Sequence, residues 1–321
     1  MLAVVYDDNF QLLGRKRTKT NSQDGKKAGV SRIAETIHKA LLVAQIDKSR
    51  LGSIGIGCPG PLDLDKGVIL STPNLGWKNV RIKEILEAEF GCPVIISNDV
   101  DSGTYGEYRF GAAVGARCAF GIFPGTGIGG GCVYEGKIVR GKTGSCMEVG
   151  HIEVMPGGPL CGCGARGCLE AVASRMAISS AAAQAAQRGQ APYLLQAAGT
   201  DPSKIRSGTL AAAIANGDQV VEDILRDAAR YIGVAVANIV NLLSPDIVVL
   251  GGGLVEAMPD LFVKEVSKSA RQRCMPAFAD TFQVASAKLG DDAAVMGAAS
   301  WARDCVAGAA SVEDKSAKGS T

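Results

Sequence analysis

The chain has 321 residues, 47% of them hydrophobic, and a formal net charge of +2 at pH 7. That balance supports a buried core and two domains of ordinary size. It excludes a disordered acidic chain and a polycationic nucleic-acid surface. Only 5% of residues are aromatic, which argues against base-stacking platforms. Two counts stand out, 41 glycines, several in runs, and 10 cysteines. The opening M-L-A-V-V-Y-D-D has no basic segment ahead of an apolar one, unlike a signal peptide, and no uncharged apolar run reaches the length of a membrane span. The reading is a cytoplasmic protein whose scattered cysteines (Cys58, Cys92, Cys118, Cys132, Cys146, Cys274 and Cys305) are reduced and buried.

Residues 2–6 predict a strand and residues 10–20 its partner across an Asp7-Asp8-Asn9 turn. Residues 30–44 have helical spacing, with Ile33, Ile37, Ala40, Leu41 and Ala44 on one face; His38 there reads as an ordinary boundary histidine. Residues 53–57 form a short strand, stopped by the rigid C-P-G-P at 58–61. A polar loop at 71–77 carries Asn74 and Trp77. Residues 82–90 predict a short helix, and residues 94–97 a buried strand ending in N-D-V-D at 98–101. Carboxylates at the end of a core strand sit where α/β proteins usually bind ligands. Asp99 therefore has two readings, a chemical group or the N-cap of the helix that follows, with Asp101 the better cap by position.

Residues 117–123 predict a strand running into G-T-G-I-G-G-G at 125–131. The run contains G-x-G-x-x-G, but the helix that a dinucleotide fingerprint requires does not follow; residues 132–139 read as an alternating strand with a turn at Glu135-Gly136. The glycines therefore make a hairpin. Its tip can turn several N–H groups toward one point, which suits a phosphate; a flexible hairpin without a ligand is the alternative.

Residues 148–170 read E-V-G-H-I-E-V-M-P-G-G-P-L-C-G-C-G-A-R-G-C-L-E and hold His151, one of only two histidines, with Cys161, Cys163 and Cys168. One imidazole and three thiolates suit a closed tetrahedral zinc site with no open position for water, hence a structural one. The alternative is a glycine-rich loop of reduced cysteines. A disulfide between Cys161 and Cys163 would be strained. Such a knot would fix the flanking Glu148 and Glu170, and fixed carboxylates can hold a polyol by its hydroxyls.

Residues 171–188 predict one alanine-rich helix, residues 190–218 shorter helical pieces, and residues 220–243 a long apolar helix suited to a dimer contact. Residues 246–250 are a core strand, and Gly251, Gly252 and Gly253 open the next helix, 254–269. This second glycine run either admits a planar ring or a phosphate to the backbone or lets strand and helix pack closely. A last strand at 282–285 and a last helix at 293–305 precede a small polar tail, 307–321, expected to be disordered. The pattern divides into two α/β lobes with a cleft, 1–112 completed by a helix at 293–306, and 113–292.

Together these pieces resemble the ROK family (repressors, open reading frames and kinases) of the sugar-kinase, heat-shock-protein and actin superfamily. The matching segments are G-C-P-G-P at 57–61, P-N-L-G-W at 73–77, N-D at 98–99, G-T-G-I-G-G-G, E-V-G-H, C-G-C-G-A-R-G-C-L-E and L-G-G-G at 250–253, nearly the whole chain. The resemblance implies a two-lobed actin-like ATPase (ribonuclease H-like) fold of the α/β class. It also implies ATP-dependent phosphorylation of a hexose or N-acetylhexosamine on its 6-hydroxyl, with glucokinase activity foremost. Asp99 matches the catalytic base. Asn74, Asn98, Asp99, Glu148, His151 and Glu170 match sugar contacts, His151 doubling as a zinc ligand. Gly125, Thr126, Gly127, Ile128, Gly129, Gly130, Gly131 and Cys132 match a phosphate loop, and Gly251, Gly252 and Gly253 lie where adenosine is held. Magnesium accompanies the ATP, and the family is commonly dimeric.

Family members also carry a strand and a first phosphate loop, D-x-G-G-T-K, ahead of the segment that begins here at Met1. Its absence predicts exposed sheet edges on both neighbours of that strand. It also sets a second expectation, a sugar-binding or regulatory protein without turnover. The helix-turn-helix of the repressor branch has no counterpart, so no nucleic-acid partner is expected, and without an apolar run long enough to span a membrane no membrane partner is expected either. Asp101 stands where the family often has asparagine.

Overall fold

A computed structural model of the chain describes residues 1–72 and 75–318. Internal packing divides it into two units: Met1–Arg109 with Arg140–Cys146 and Asp291–Thr321, and Phe110–Val139 with Met147–Gly290.

In the first unit, β1 (Leu2–Tyr6) and β2 (Leu12–Arg17) form an antiparallel hairpin. Its turn is held by Asp7, whose Oδ1 accepts the N–H groups of Asn9 and Gln11. α1 (Gly25–Ala44) packs on β2 and turns Ala40 and Leu41 into the core. β3 (Ile54–Cys58) is followed by a small antiparallel sheet of β4 (Leu62–Asp63), β5 (Val68–Thr72) and β6 (Trp77–Val80). Trp77 therefore starts a strand instead of sitting in a loop. Its N–H donates to Thr72 Oγ1, and its ring is buried beneath Gly29. Asn74 lies outside the described residues. α2 (Ile82–Phe90) buries Ile82, Leu86 and Phe90 along one stripe and ends at the left-handed Gly91. β7 (Val94–Asn98) pairs in parallel with β3 and runs into α3 (Asp99–Phe110).

The second unit is built on a five-stranded sheet. β8 (Cys118–Pro124), β9 (Ile128–Tyr134) and β10 (Lys137–Ile138) form an antiparallel meander. β11 (Ile247–Leu250) joins β8 in parallel, and β12 (Gln283–Ser286) joins β11. β11 is fully buried, as a central parallel strand of branched residues should be. The helix expected over 171–188 is two, α4 (Leu169–Ala173) and α5 (Arg175–Gln187), because Ser174 is extended and caps the N–H of Ala177. α6 (Pro192–Ala198), α7 (Ser207–Ala215) and the long α8 (Gln219–Leu243) follow. The helix expected over 254–269 also divides, into α9 (Gly253–Ala257) and α10 (Pro259–Arg271), since proline at a first helical position starts a helix better than it continues one. α8 and α10 pack side by side, burying Leu225, Ile232, Val236, Phe262 and Val266.

The chain then returns to the first unit as α11 (Ala293–Lys318), which packs on β3. This helix extends through the stretch that composition marks as a disordered tail; its alanines, glutamate and lysines favour a helix once one has begun. Among the described residues, β1 and β3 each pair with one strand only. Residues 1–8 and 50–59 line one cavity of about 760 Å³. A strand that turns a face to a cavity contributes alternate residues, so consecutive ones mark backbone edges that open into it. Ile54 and Ile56, apolar residues on a core strand, stay only half-buried.

Candidate functional site

Asp99 lies at the carboxyl end of β7, in register beyond Cys58 of β3, where open α/β sheets place their ligands. The cap of α3 is Asn98, not Asp101. Asn98 Oδ1 accepts the N–H of Val100 at 2.8 Å and that of Asp101 at 3.4 Å. Asp101 is instead buried in the first turn. Asp99 is left with one short local bond, from Val100 N–H to its Oδ1 at 3.0 Å. It keeps solvent access, yet the surrounding protein desolvates its carboxyl and raises the pKa above the usual carboxylate range, a rise that the Val100 N–H partly offsets. Burial, and next the Asp99 charge, push the Cys58 thiol up to about 12, so this neighbour stays neutral.

The four soft ligands gather in the second unit. His151 ends a 3-10 turn (Val149–His151), and its Nδ1 lies 3.7 Å from Cys161 Sγ; Cys163 Sγ and Cys168 Sγ are also 3.7 Å apart. One ligand atom from each of the four residues lies within 4.8 Å of all the others. Bonds of about 2.3 Å at tetrahedral angles place two sulfurs roughly 3.8 Å apart, so the donor set and spacing fit zinc. A short ribbon builds this geometry. Leu169 N–H donates to Ile152 O, Val154 N–H to Gly167 O, and Cys161 N–H to Ala165 O. Burial, then the adjacent sulfurs, push the Cys168 thiol up to about 12. A divalent cation at the centre would invert that balance and hold thiolates.

The glycine run divides by role. Pro124 pairs with Ile128, so only Gly125, Thr126 and Gly127 form the hairpin tip, while Gly129, Gly130, Gly131 and the buried Cys132 belong to β9. Gly130 is glycine because the next segment lies on it. A Cβ there would come 2.5 Å from Met147 O, and one at Gly150 would come 2.2 Å from Ile128 O. These two contacts seat Glu148 and His151 against β9. Glu170, two residues after Cys168, reaches the tip, where its Oε2 accepts the Ile128 N–H at 2.9 Å. Arg175 holds the other side, with its N–H on Gly125 O at 2.9 Å and its Nη2 on Thr126 Oγ1 at 2.9 Å. Sequence reasoning missed Arg175. The available signal was a cation at the first position of a helix, where the macrodipole disfavours it. Gly251 and Gly252 back onto the same hairpin, with Cβ positions 2.5 Å from the Phe123 ring and 2.7 Å from Pro124 O, so strand and helix pack closely at both.

Comparison with known proteins agrees with this architecture. The ROK family profile matches residues 1–305. A glucokinase of Halalkalibacterium halodurans is 36% identical over 279 residues, 87% of this chain and 84% of its own. The crystal structure of a ROK family glucokinase from Streptomyces griseus, in complex with glucose and AMPPNP, superposes with a TM-score of 0.81 at 32% identity over 94% of this chain and 96% of that one. A ROK family transcriptional regulator, a homolog of the Escherichia coli Mlc protein, superposes with a TM-score of 0.82 at 26% identity over 93% and 74%. These likenesses identify the two-lobed actin-like ATPase fold, and this chain belongs to the ROK family.

Proposed function

We propose that this chain transfers the γ-phosphoryl group of ATP to the 6-hydroxyl of a hexose, glucose foremost. The observation that carries the reading is a carboxylate, Asp99, at the carboxyl end of β7 in a chain that matches glucokinases over most of its length. Phosphoryl transfer asks little covalent work of a protein; positioning and charge neutralisation dominate. A sugar hydroxyl is a weak nucleophile, and Asp99 accepts its proton as the new P–O bond forms. A pKa raised toward neutrality makes that carboxylate a better base. Glu148, His151 and Glu170 accept and donate to the other hydroxyls, with Asn98 at the side of Asp99. The Thr126 and Gly127 N–H groups face the phosphates, and Gly251 to Gly253 flank the adenosine. Magnesium bound with the nucleotide supplies charge neutralisation of its β- and γ-phosphates. Zinc among His151, Cys161, Cys163 and Cys168 supplies a rigid anchor for the residues that follow it. The active form is a homodimer.

The first unit takes one further strand. Met1 and Thr18 exchange hydrogen bonds, so along β1 the alternation turns the backbone groups of Leu2 and Val4 toward the cavity. Ile54 N–H donates to Pro93 O beside β7, so Gly55 and Gly57 turn theirs to the cavity as well. An extended segment between these edges would pair with both and bury Ile54 and Ile56. Full burial of such a side chain is worth about 1.5–3 kcal/mol.

A second reading, a sugar-binding ROK regulator without turnover, is favoured by those open edges and by the likeness to the ROK transcriptional regulator. ADP release measured against a hexose panel, with glucose binding in parallel, separates the two. Binding without ADP release from any hexose, in this chain and in a form with an extended strand joined ahead of Met1, supports the regulator and refutes the kinase.

A further inference from the structure

The hairpin tip has three residues, and its shape depends on a side chain outside it. Gly125 N–H is closed onto Gly127 O at 2.8 Å, and the Ile128 N–H is taken by Glu170 Oε2. The N–H groups that remain to face an anion are those of Thr126 and Gly127. Gly127 does not have the positive φ that would require glycine. A Cβ there would instead lie 2.2 Å from Glu170 Oε2. Glycine at this position leaves room for the Glu170 carboxylate beside the tip.

Glu170 sits in the first turn of α4, whose preceding residue is the buried Cys168. The Leu169 N–H on Ile152 O ties that turn to the segment after His151. The Cys/His cluster, α4 and the hairpin are thus linked through named bonds.

We propose that Glu170 is a positioning residue of the glycine hairpin. Its Oε2 latches the Ile128 N–H and aims the free N–H groups of Thr126 and Gly127 at the terminal phosphates of a nucleoside triphosphate. This rests on the reading of the tip as a phosphate site. Because Oε2 is committed to the hairpin, Oε1 is the oxygen left for a sugar hydroxyl. One carboxylate then serves both ligands, and a bound hexose that orders Glu170 also tightens the nucleotide site. By linkage the nucleotide tightens the sugar equally.

The test is AMPPNP·Mg²⁺ affinity by calorimetry, with and without glucose, on the full chain with its zinc content measured for each variant. Glu170→Ala removes a charge-assisted hydrogen bond and should weaken nucleotide binding on the order of tenfold without sugar. It should also abolish the effect of glucose on that affinity. Glu170→Gln keeps an acceptor oxygen and should stay within about threefold. Gly127→Ala should weaken binding by on the order of tenfold, and Gly127→Ala with Glu170→Ala should be no worse than either alone, since the clash is gone. The Ile128 amide resonance supplies a readout independent of binding: it should move in Glu170→Gln and lose exchange protection in Glu170→Ala. If Glu170→Ala does not fold, the Gln variant and this resonance decide. Unchanged nucleotide affinity in Glu170→Ala, multiplicative effects in the double variant, or an unmoved Ile128 amide overturns the latch. A wild-type protein that binds no nucleotide overturns the phosphate reading itself.

Discussion

The sheet of the second unit and the strands of the first treat similar sequences differently. I-V-V-L in β11 has neighbours on both edges and is fully buried, whereas I-G-I-G-C in β3 has one neighbour among the described residues and leaves both isoleucines half-buried. Around the hairpin of the second unit the exposed loops are also tied down, by Glu170, by Arg175 and by the ribbon of the Cys/His cluster. In the first unit Asp99 follows β7, the partner of β3, whose other edge still has backbone groups to offer. The contrast teaches that an apolar strand is buried by its partners and not by its composition. On the proposed reading, the grip on ligands is built from internally satisfied parts, and the chemistry sits next to an unsatisfied one.

The contrast can be broken most forcefully at Asp99. Asp99→Asn removes the proton acceptor without changing shape, and kcat should fall by about 10²–10⁴-fold with glucose affinity held within a few-fold. A normal kcat in that variant refutes the assignment. At the opposite region, Cys163→Ser or prolonged chelation should release zinc and destabilise the second unit by several kcal/mol, short of the ~10–16 kcal/mol seen where zinc is all that folds a peptide. Thermal unfolding with metal analysis reads this; a variant with unchanged Tm and no bound metal would contradict the structural role.

A smaller effect comes from pH. The Asp99 pKa is raised in the folded protein, and in the proposed reaction its deprotonated form is the base. Activity should therefore be present above that pKa and fall as pH drops through it, with an acid limb lying above the ordinary aspartate value of about 3.9. An acid limb at or below that value would show that another group controls the rate. The mildest test concerns the open edges. The amides of Leu2, Val4, Gly55 and Gly57 should exchange quickly, and an extended strand joined ahead of Met1 should protect all four and raise Tm. Protection of these amides without any added strand would remove the slot from the account.

Much of this was legible in local pattern. The strand over residues 2–6 and the helix over 82–90 match the structure residue for residue, because turn residues and a left-handed glycine mark their ends. The absence of a helix after G-T-G-I-G-G-G identified a hairpin, and the spacing of Cys161, Cys163 and Cys168 with His151 gathers in one place. What was not legible depends on contacts distant in sequence. Nothing local tells that Gly130 serves the packing of Met147, or that Glu170 reaches back to Ile128. The cap of α3 was misassigned because Asn98 and Asp101 are both good caps, and only the start of the helix chooses between them. The breaks at Ser174 and Met258 were present as a cap residue and a proline, and the alanine-rich and apolar surroundings hid them.

The central claim, a phosphoryl transfer that depends on a hexose, is tested most directly by ADP release from ATP·Mg²⁺ with glucose present and absent, both for this chain and for a form with an extended strand joined ahead of Met1. The account predicts glucose-dependent release in at least the extended form, with little ATP turnover when the sugar is left out. Glucose bound in both forms, with no sugar-dependent ADP from either, would contradict it.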